Sequence, residues 1–454
     1  MGSIRLQNLT EGEIKGRLLR LALPIMGTSF VQMAYSFTDM AWLGRLGSKS
    51  VAAVGIVAVL TWLSSSISSI NKTGSEVTIG HSLGKGAIEE ARRYASHNVS
   101  MSLLISSVIA LLFFLFPHLF LGIYHLEDDV HALALTYLRI VACGLPFTFA
   151  ATAFSGIYNG AGLSSIPFKV SSTGLVLNMI LDPLLIFGLG WGTIGAAIAT
   201  LIAQVFVFVL FFYRLRRQDK LLDCFPFFVR PDNIHSGRIL RIGLPVAALN
   251  SLFAIINMML GRLASQQGGH IGVATLTTGG QLEAITWNTS QGFSTALATF
   301  VAHNYAARQG KRIFSAYRYT LLYCSIFGIL GTVLFVFFGN EVFRLVVPEK
   351  EAYLSGGIYL RISGYSQLLM MLEIATQGLF YGTARTVFPA VISIGGNLLR
   401  IPLALLLIGM GFGPESVWWA ISLSSMLKGL AIVCGLPYLN RRIKLHSQLL
   451  PSSQ

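Results

Sequence analysis

The stretch LALPIMGTSFVQMAYSFTDMAWLGRLG, residues 21–47, holds the groups best suited to chemistry. Thr28, Gln32, Tyr35 and Asp39 follow an i, i+4, i+7, i+11 spacing, which puts all four on one face of a helix. Asp39 is the ionisable one, and no basic residue lies within a turn of it. An ionised carboxylate at the middle of a bilayer costs about 2.5–3.5 kcal/mol on insertion scales, so such a residue faces a bundle interior or a water-filled cavity. It can carry a proton, because desolvation penalises the charged form, or offer oxygen to a hard cation such as Na+. For Thr28 and Gln32 a hydrogen bond between helices is an equally good reading.

Other polar groups interrupt apolar runs in the same way. Asn178 and Asp182 in NMILDP are one helical turn apart, and Tyr137 and Thr200 sit in neighbouring runs. Glu283 in ATLTTGGQLEAITW and Glu373 in YSQLLMMLEIATQGLFYG are mid-run carboxylates. Lys72 and Glu76, at i and i+4, read as a mutual ion pair. GWGTIG (190–195) fits G-x-G-x-x-G but joins two apolar runs instead of a strand and a helix, so it reads as a turn. GHSLGKG (80–86) has the wrong spacing for a phosphate loop and no Ser or Thr after its lysine. Nine histidines show no metal-ligand spacing, and no nucleophile–base pair appears. The chain therefore reads as neither a nucleotide-driven pump nor an enzyme, with no cofactor and no resident metal.

The elements that must position these groups are membrane helices. Of 454 residues, 54% are hydrophobic and 11% charged, with a mean hydropathy of +0.66. Soluble domains run at about 25% charged. At about 20 residues per crossing, the apolar runs give twelve spans, near 20–44, 52–83, 95–117, 130–157, 168–189, 193–213, 240–264, 272–303, 315–339, 353–381, 388–410 and 416–437. Pro24, Pro146, Pro183, Pro245 and Pro402 offer bend points within or near them. The net charge of +14 comes from Lys and Arg in short loops, including Lys85, Arg92, Arg93, Arg216, Arg217, Lys220, Arg308 and Arg442. The opposite loops, such as HLEDDVH (125–131), are poor in them. This asymmetry sets both termini in the cytoplasm and argues for a membrane protein over a nucleic-acid binder. Cys143, Cys224, Cys324 and Cys434 show no paired spacing.

The chain repeats itself. RLLRLALP (17–24) matches RILRIGLP (238–245), YLRI occurs at 137–140 and 359–362, and Gly156, Gly160 and Pro167 correspond to Gly378, Gly382 and Pro389. NMILDP corresponds to NLLRIP, at an offset that stays near 220 residues. The expected fold is an all-α membrane protein, with twelve transmembrane helices in two six-helix bundles related by a parallel internal repeat. Residues 1–16 form a cytoplasmic N-terminal segment, 17–213 the N-terminal lobe, 214–237 a cytoplasmic linker, 238–440 the C-terminal lobe and 441–454 a cytoplasmic tail.

Depth then groups the polar residues. Asp39 lies six residues before Arg45, about 9 Å from the outer end at about 1.5 Å per residue. Asn178 and Asp182 fall in the outer half of an outward-running helix, and Tyr137 and Thr200 begin inward-running ones. Five polar groups from four helices of the first lobe thus share one level. The repeat is an internal control: Asp182 corresponds to Ile401, and Asp39 to Leu260 or Ile256. The fold of a lobe does not demand these carboxylates.

The twelve helices in two halves, the 21–47 stretch, the doubled YLRI and NMILDPLLIFGLGWGTIGAAIAT together resemble the multidrug and toxic compound extrusion (MATE) family, and most of all its DinF-like branch, over residues 15–440. The resemblance implies a cation-coupled antiporter of the cell membrane that expels amphipathic, often cationic, organic compounds by alternating access, with protons favoured over sodium. It implies a coupling site at Asp39, Tyr137, Asn178, Asp182 and Thr200, with Na+ at Asp39, Asn178, Asp182 and Thr200 as the other ion. Gln32, Met33, Tyr35, Phe154, Met179, Glu283 and Glu373 are the candidates for the substrate path. The partners expected are small-molecule drugs and the lipid bilayer, with no nucleic acid, for a monomeric protein. The rival reading is a lipid or lipid-linked oligosaccharide flippase on the same scaffold, which the scarcity of mid-span arginine disfavours.

Overall fold

The computed structural model describes residues 9–122, 128–219, 222 and 225–448. Parts of the two terminal segments and of the acidic loop, and Lys220 and Cys224, lie outside the described residues. In chain order the helices are α1 (Ile14–Gly44), α2 (Ser48–Gly84), α3 (Ile88–Leu115), the short α4 (Pro117–Leu121), α5 (Asp128–Gly160), α6 (Ser165–Pro183), α7 (Gly192–Tyr213), α8 (His235–Ala306), α9 (Gly310–Arg344), α10 (Lys350–Gly382), α11 (Val387–Gly409), α12 (Glu415–Val433) and α13 (Leu436–Gln448). A wide π-turn follows α6 at Leu184–Gly188, directly after Pro183, and another follows α7 at Arg214–Gln218.

Nine of the described helices are long and apolar enough to cross a membrane. α8 does so twice: its 72 residues would run to about 108 Å at about 1.5 Å each, against a hydrocarbon core of about 30 Å. The two spans are separate helices joined at Gly269, whose φ of 56° and ψ of −144° are non-helical and suit glycine, at the place near residue 270 where the sequence suggests a connection. α1 and α10 are equally long but less apolar, interrupted by Gln32 and Asp39 in α1 and by Gln367, Glu373 and Gln377 in α10. With them the chain has twelve spans. α13 is an addition: an amphipathic helix that buries Leu439 and Ile443 on one side and places Arg441, Arg442 and Lys444 around the rest.

Contacts divide the chain into two compact units. One contains Gly27–Ala247; the other contains Leu9–Met26 and Ala248–Gln454. The first helix of each repeat therefore begins in one unit and continues in the other, and it changes just after Pro24 in α1 and Pro245 in α8. The duplicated prolines mark corresponding places in both halves.

The duplicated glycines have a packing reason. A Cβ at Gly156 would lie 2.7 Å from the Lys72 carbonyl oxygen, and one at Gly160 would lie 3.0 Å from that of Glu76, so α5 closes directly on the backbone of α2. In the second unit, Gly378 meets the Ser294 backbone, and a Cβ at Gly382 would lie 2.6 Å from the Ala298 carbonyl oxygen, so α10 closes on α8 in the same way. Small residues are how membrane helices approach closely. Gly378→Val, which drives methyl groups into that backbone, is expected to destabilise the protein by about 3 kcal/mol. Gly280→Ala, with open space at its Cβ, should leave the thermal midpoint in detergent unchanged. Equal midpoints for the two variants would contradict this account of the repeat.

Candidate functional site

In the Gly27–Ala247 unit, α1 supplies Tyr35 and Asp39, α5 supplies Tyr137, α6 supplies Asn178 and Asp182, and α7 supplies Thr200. Two glycines let α7 reach the other helices. A Cβ on Gly144 of α5 would strike Gln204, and one on Gly174 of α6 would strike Val207. Thr200 is one turn before Gln204, which places it level with Tyr137 and Asp182. The Asp39 and Asp182 carboxyl groups face one another, and both act on Tyr35 and Tyr137. The Tyr35 hydroxyl approaches that of Thr200 without reaching hydrogen-bond geometry. Asn178 Nδ2 donates to Asp182 Oδ1 at 3.2 Å, one turn along the same helix. Asn178 is 0% and Asp182 1% exposed.

The decisive feature is what these atoms lack. Asp39 Oδ1, Asp182 Oδ2, Asn178 Oδ1, Thr200 Oγ1 and the Tyr35 hydroxyl are all buried without a hydrogen-bond partner. An unpaired buried polar atom costs about 1–3 kcal/mol. Five of them at one place are retained only if something else satisfies them. Two facing carboxylates are both acceptors, and a proton on either becomes a donor to the other. The same oxygens are hard donors, so the chemistry also fits Na+.

The substrate-path candidates divide. Tyr35 joins the cluster. Gln32 is exposed and Met33 half-buried on α1, and Met179 is 45% exposed on α6. Phe154 is wholly buried in an aromatic core, with ring centroids 5.4 Å from Phe227 and 6.0 Å from Phe208. Glu76 accepts from Asn159 Nδ2 at 2.9 Å, and no ion pair joins it to Lys72 among the described residues. Glu76 faces α5 at the level of Asn159, and the Lys72 charge acts on it from beyond ion-pair distance.

Glu283 and Glu373 belong to the second unit, and all four of their carboxylate oxygens have a neighbour. Glu283 accepts from the Tyr359 hydroxyl at 2.7 Å and from Gln367 Nε2 at 2.8 Å. Glu373 Oε1 accepts from Ser393 Oγ at 2.5 Å and Gln377 Nε2 at 2.9 Å, and its Oε2 lies 3.8 Å from Lys428 Nζ. Lys428 also donates to Asn397 Oδ1 at 3.0 Å. Arg400 donates to Ser424 Oγ at 3.0 Å and Ser425 Oγ at 3.3 Å, and stacks over Phe253 at 5.6 Å. Tyr137 and Tyr359 are the two YLRI tyrosines, so each faces a carboxylate, drawn from α1 in one unit and from α8 in the other. Where the first unit holds Asp39, the second has Ile256 and Leu260 packed with Trp418 in a dry core.

Lys428 and Arg400 are not among the candidates that spacing suggests, although MLKGL and NLLRIP both show a cation inside an apolar run. Lys428→Met should strand Glu373 and cost about 3–5 kcal/mol, whereas Lys428→Met with Glu373→Gln should recover most of it. Thermal unfolding of the two purified variants measures this, and additive losses would show that the two groups are not a pair.

The profile of the family described as MatE matches residues 24–184 and 242–406, one block in each repeat. The chain is 25% identical over 408 residues to a probable multidrug resistance protein NorM of Thermotoga maritima, covering 87% of this chain and 86% of that protein. It is 24% identical over 436 residues to a FAD transporter of Shewanella oneidensis, covering 94% of each. A solved MOP superfamily transporter from Pyrococcus furiosus shares the fold, with a TM-score of 0.89 at 23% identity over 99% of this chain and 100% of that one. Two matched blocks, one per repeat, on a twelve-span duplicated fold make this chain a multi-pass membrane transporter of the MatE family.

Proposed function

We propose that the protein is a proton-coupled multidrug efflux antiporter of the cell membrane, with both termini cytoplasmic and its coupling site at Asp39, Asn178, Asp182, Thr200, Tyr35 and Tyr137. The reading rests on the contrast between the two units. The carboxylates of the second are supplied with donors, as in a structural network, whereas those of the first are left with unpaired oxygens. An unfinished acceptor cluster is what a site for a transient proton requires. Protonation satisfies the facing carboxylates and removes charge from the lobe, while deprotonation restores an anionic site for a cationic, amphipathic compound. Relatives named as multidrug resistance or export proteins support this substrate class. The family resemblance in residues 21–47 further supports the DinF-like branch.

Proton and sodium coupling are separated by drug transport in proteoliposomes under either gradient alone. A proton gradient without sodium should drive transport, and a sodium gradient without a proton gradient should not. The reverse result would assign the oxygens to Na+.

A second reading is favoured by Arg400, a buried guanidinium that feels the Glu283 and Glu373 carboxylates only from beyond ion-pair distance. An anionic substrate, such as a lipid phosphate or the flavin nucleotide carried by the Shewanella relative, would neutralise it. Competition of cationic dyes against anionic compounds in the same assay decides between the two substrate classes.

A further inference from the structure

Three titratable side chains meet at the polar end of the Gly27–Ala247 unit, away from the coupling cluster. His97 lies near the start of α3, Asp232 in the connection before α8, and His235 at the first turn of α8. They are 138 residues apart at the extremes, so no local spacing hinted at the cluster. His235 Nδ1 lies 2.6 Å and His97 Nε2 3.2 Å from the same oxygen, Asp232 Oδ2. The three ligand atoms all fall within 4.8 Å of one another.

A structural explanation accounts for only part of this. Asp232 Oδ1 caps α8 by accepting the His235 backbone N–H at 2.5 Å. That role uses the other oxygen and needs neither imidazole. Two ring nitrogens aimed at one carboxylate oxygen instead outline the vertex of a coordination site. The rings are held in place: they stack with centroids 5.0 Å apart and planes 6° from parallel, and Tyr94 packs edge-on against His235 at 4.9 Å. Ser236 Oγ lies 3.3 Å from His97 Nδ1, the nitrogen that points away from Asp232. Such a contact on the far nitrogen fixes the ring orientation of a metal-binding histidine.

We propose that His97, Asp232 and His235 form a binding site for a divalent transition metal, Zn2+ above all. Two imidazole nitrogens and a carboxylate oxygen are a donor set that Zn2+ accepts at about 2.0–2.2 Å. Tetrahedral coordination separates ligand atoms by about 3.3 Å at these bond lengths. The His97–Asp232 distance already matches; the His235 nitrogen must withdraw from Asp232 by well under 1 Å, and one ring must turn out of the stack, because lone pairs in two parallel ring planes do not converge on one metal. Neutral rings suffice: with its proton on the far nitrogen, each ring presents a lone pair to the metal. His97 also lines a cavity of about 310 Å3 together with Glu89, Arg92, Arg93 and Val229, so solvent reaches its ring from the side away from His235 and Asp232. A metal here would fasten the connection before α8 to α3 within this unit. The proposal is independent of the coupling site and of the transported compound.

The test uses the full-length chain, purified in detergent and stripped with chelator, titrated with Zn2+ against a chromogenic competitor and with Co2+ for the visible bands of a tetrahedral complex. One equivalent of metal should bind per chain, and Zn2+ should raise the thermal midpoint. His97→Ala and His235→Ala should each weaken binding at least tenfold and abolish the shift in midpoint. His131→Ala, which alters a different stacked histidine pair with His118, should change neither. His97→Gln keeps a hydrogen-bonding group in place without the imidazole, and it decides the matter should the alanine variants fail to fold. The proposal is overturned if the wild-type chain binds no stoichiometric Zn2+, if His97→Gln binds it as tightly as wild type, or if His131→Ala loses it equally.

Discussion

Asp39→Asn reduces drug efflux to the background of cells lacking the transporter, while the protein still folds and reaches the membrane. The substitution keeps the shape and removes the proton. It also installs an amide donor opposite Asp182, a permanent hydrogen bond where the wild-type site has two bare acceptors. That donor mimics the protonated state and holds the site there. Stability should not fall, because one orphaned oxygen gains a partner. Survival on a cationic drug, with expression checked by immunoblot, measures the outcome, and full resistance from well-expressed Asp39→Asn sinks the assignment. Asp39→Asn with Asp182→Asn should be no worse than either alone, since both remove one shared proton. Additive losses in transport rate would place the two carboxylates in separate steps.

The second large effect is an asymmetry between the units. Drug added to the purified wild-type protein in weakly buffered solution should release protons. Asp39→Asn should silence that release, whereas Glu373→Gln should leave it measurable, with an altered drug preference at most. The physical ground is hydrogen-bond supply. Glu373 is saturated by Ser393 and Gln377 and lies beside Lys428, so the neutral amide costs the network one partner without touching the orphaned oxygens of the first unit. If Glu373→Gln silences release and Asp39→Asn does not, the coupling proton resides in the second unit. If both silence it, the proton is shared.

Helical periodicity made part of the site legible. Tyr35 and Asp39, and Asn178 and Asp182, share faces because residues three and four apart on a helix always do. Counting residues from each span end placed Asp39, Asn178 and Asp182 with Tyr137 and Thr200 at one depth, since the rise per residue is constant. Phe154 shows where this stops. Its helix is right, but its side chain points into an aromatic core, and only packing against Phe208 and Phe227 decides that.

Hydropathy, loop charge and the duplicated motifs by themselves determined the membrane setting, the twelve spans, the two halves and the absence of partner carboxylates at Ile401 and at Leu260 or Ile256. These properties are local or are repeated along the chain, so a single strand of letters carries them. Tertiary structure alone decided which polar groups find partners: that Glu76 turns to Asn159, that Lys428 stands by Glu373, that the oxygens of Asp39 and Asp182 stay bare, and that His97 meets His235. It also decided that the connection between the two spans of α8 is as short as the single non-helical residue Gly269. Partnership depends on how closely two helices approach. That distance is set by glycines such as Gly144, Gly174 and Gly378 meeting a neighbour far away in the sequence, and no pattern along one helix records what stands across from it.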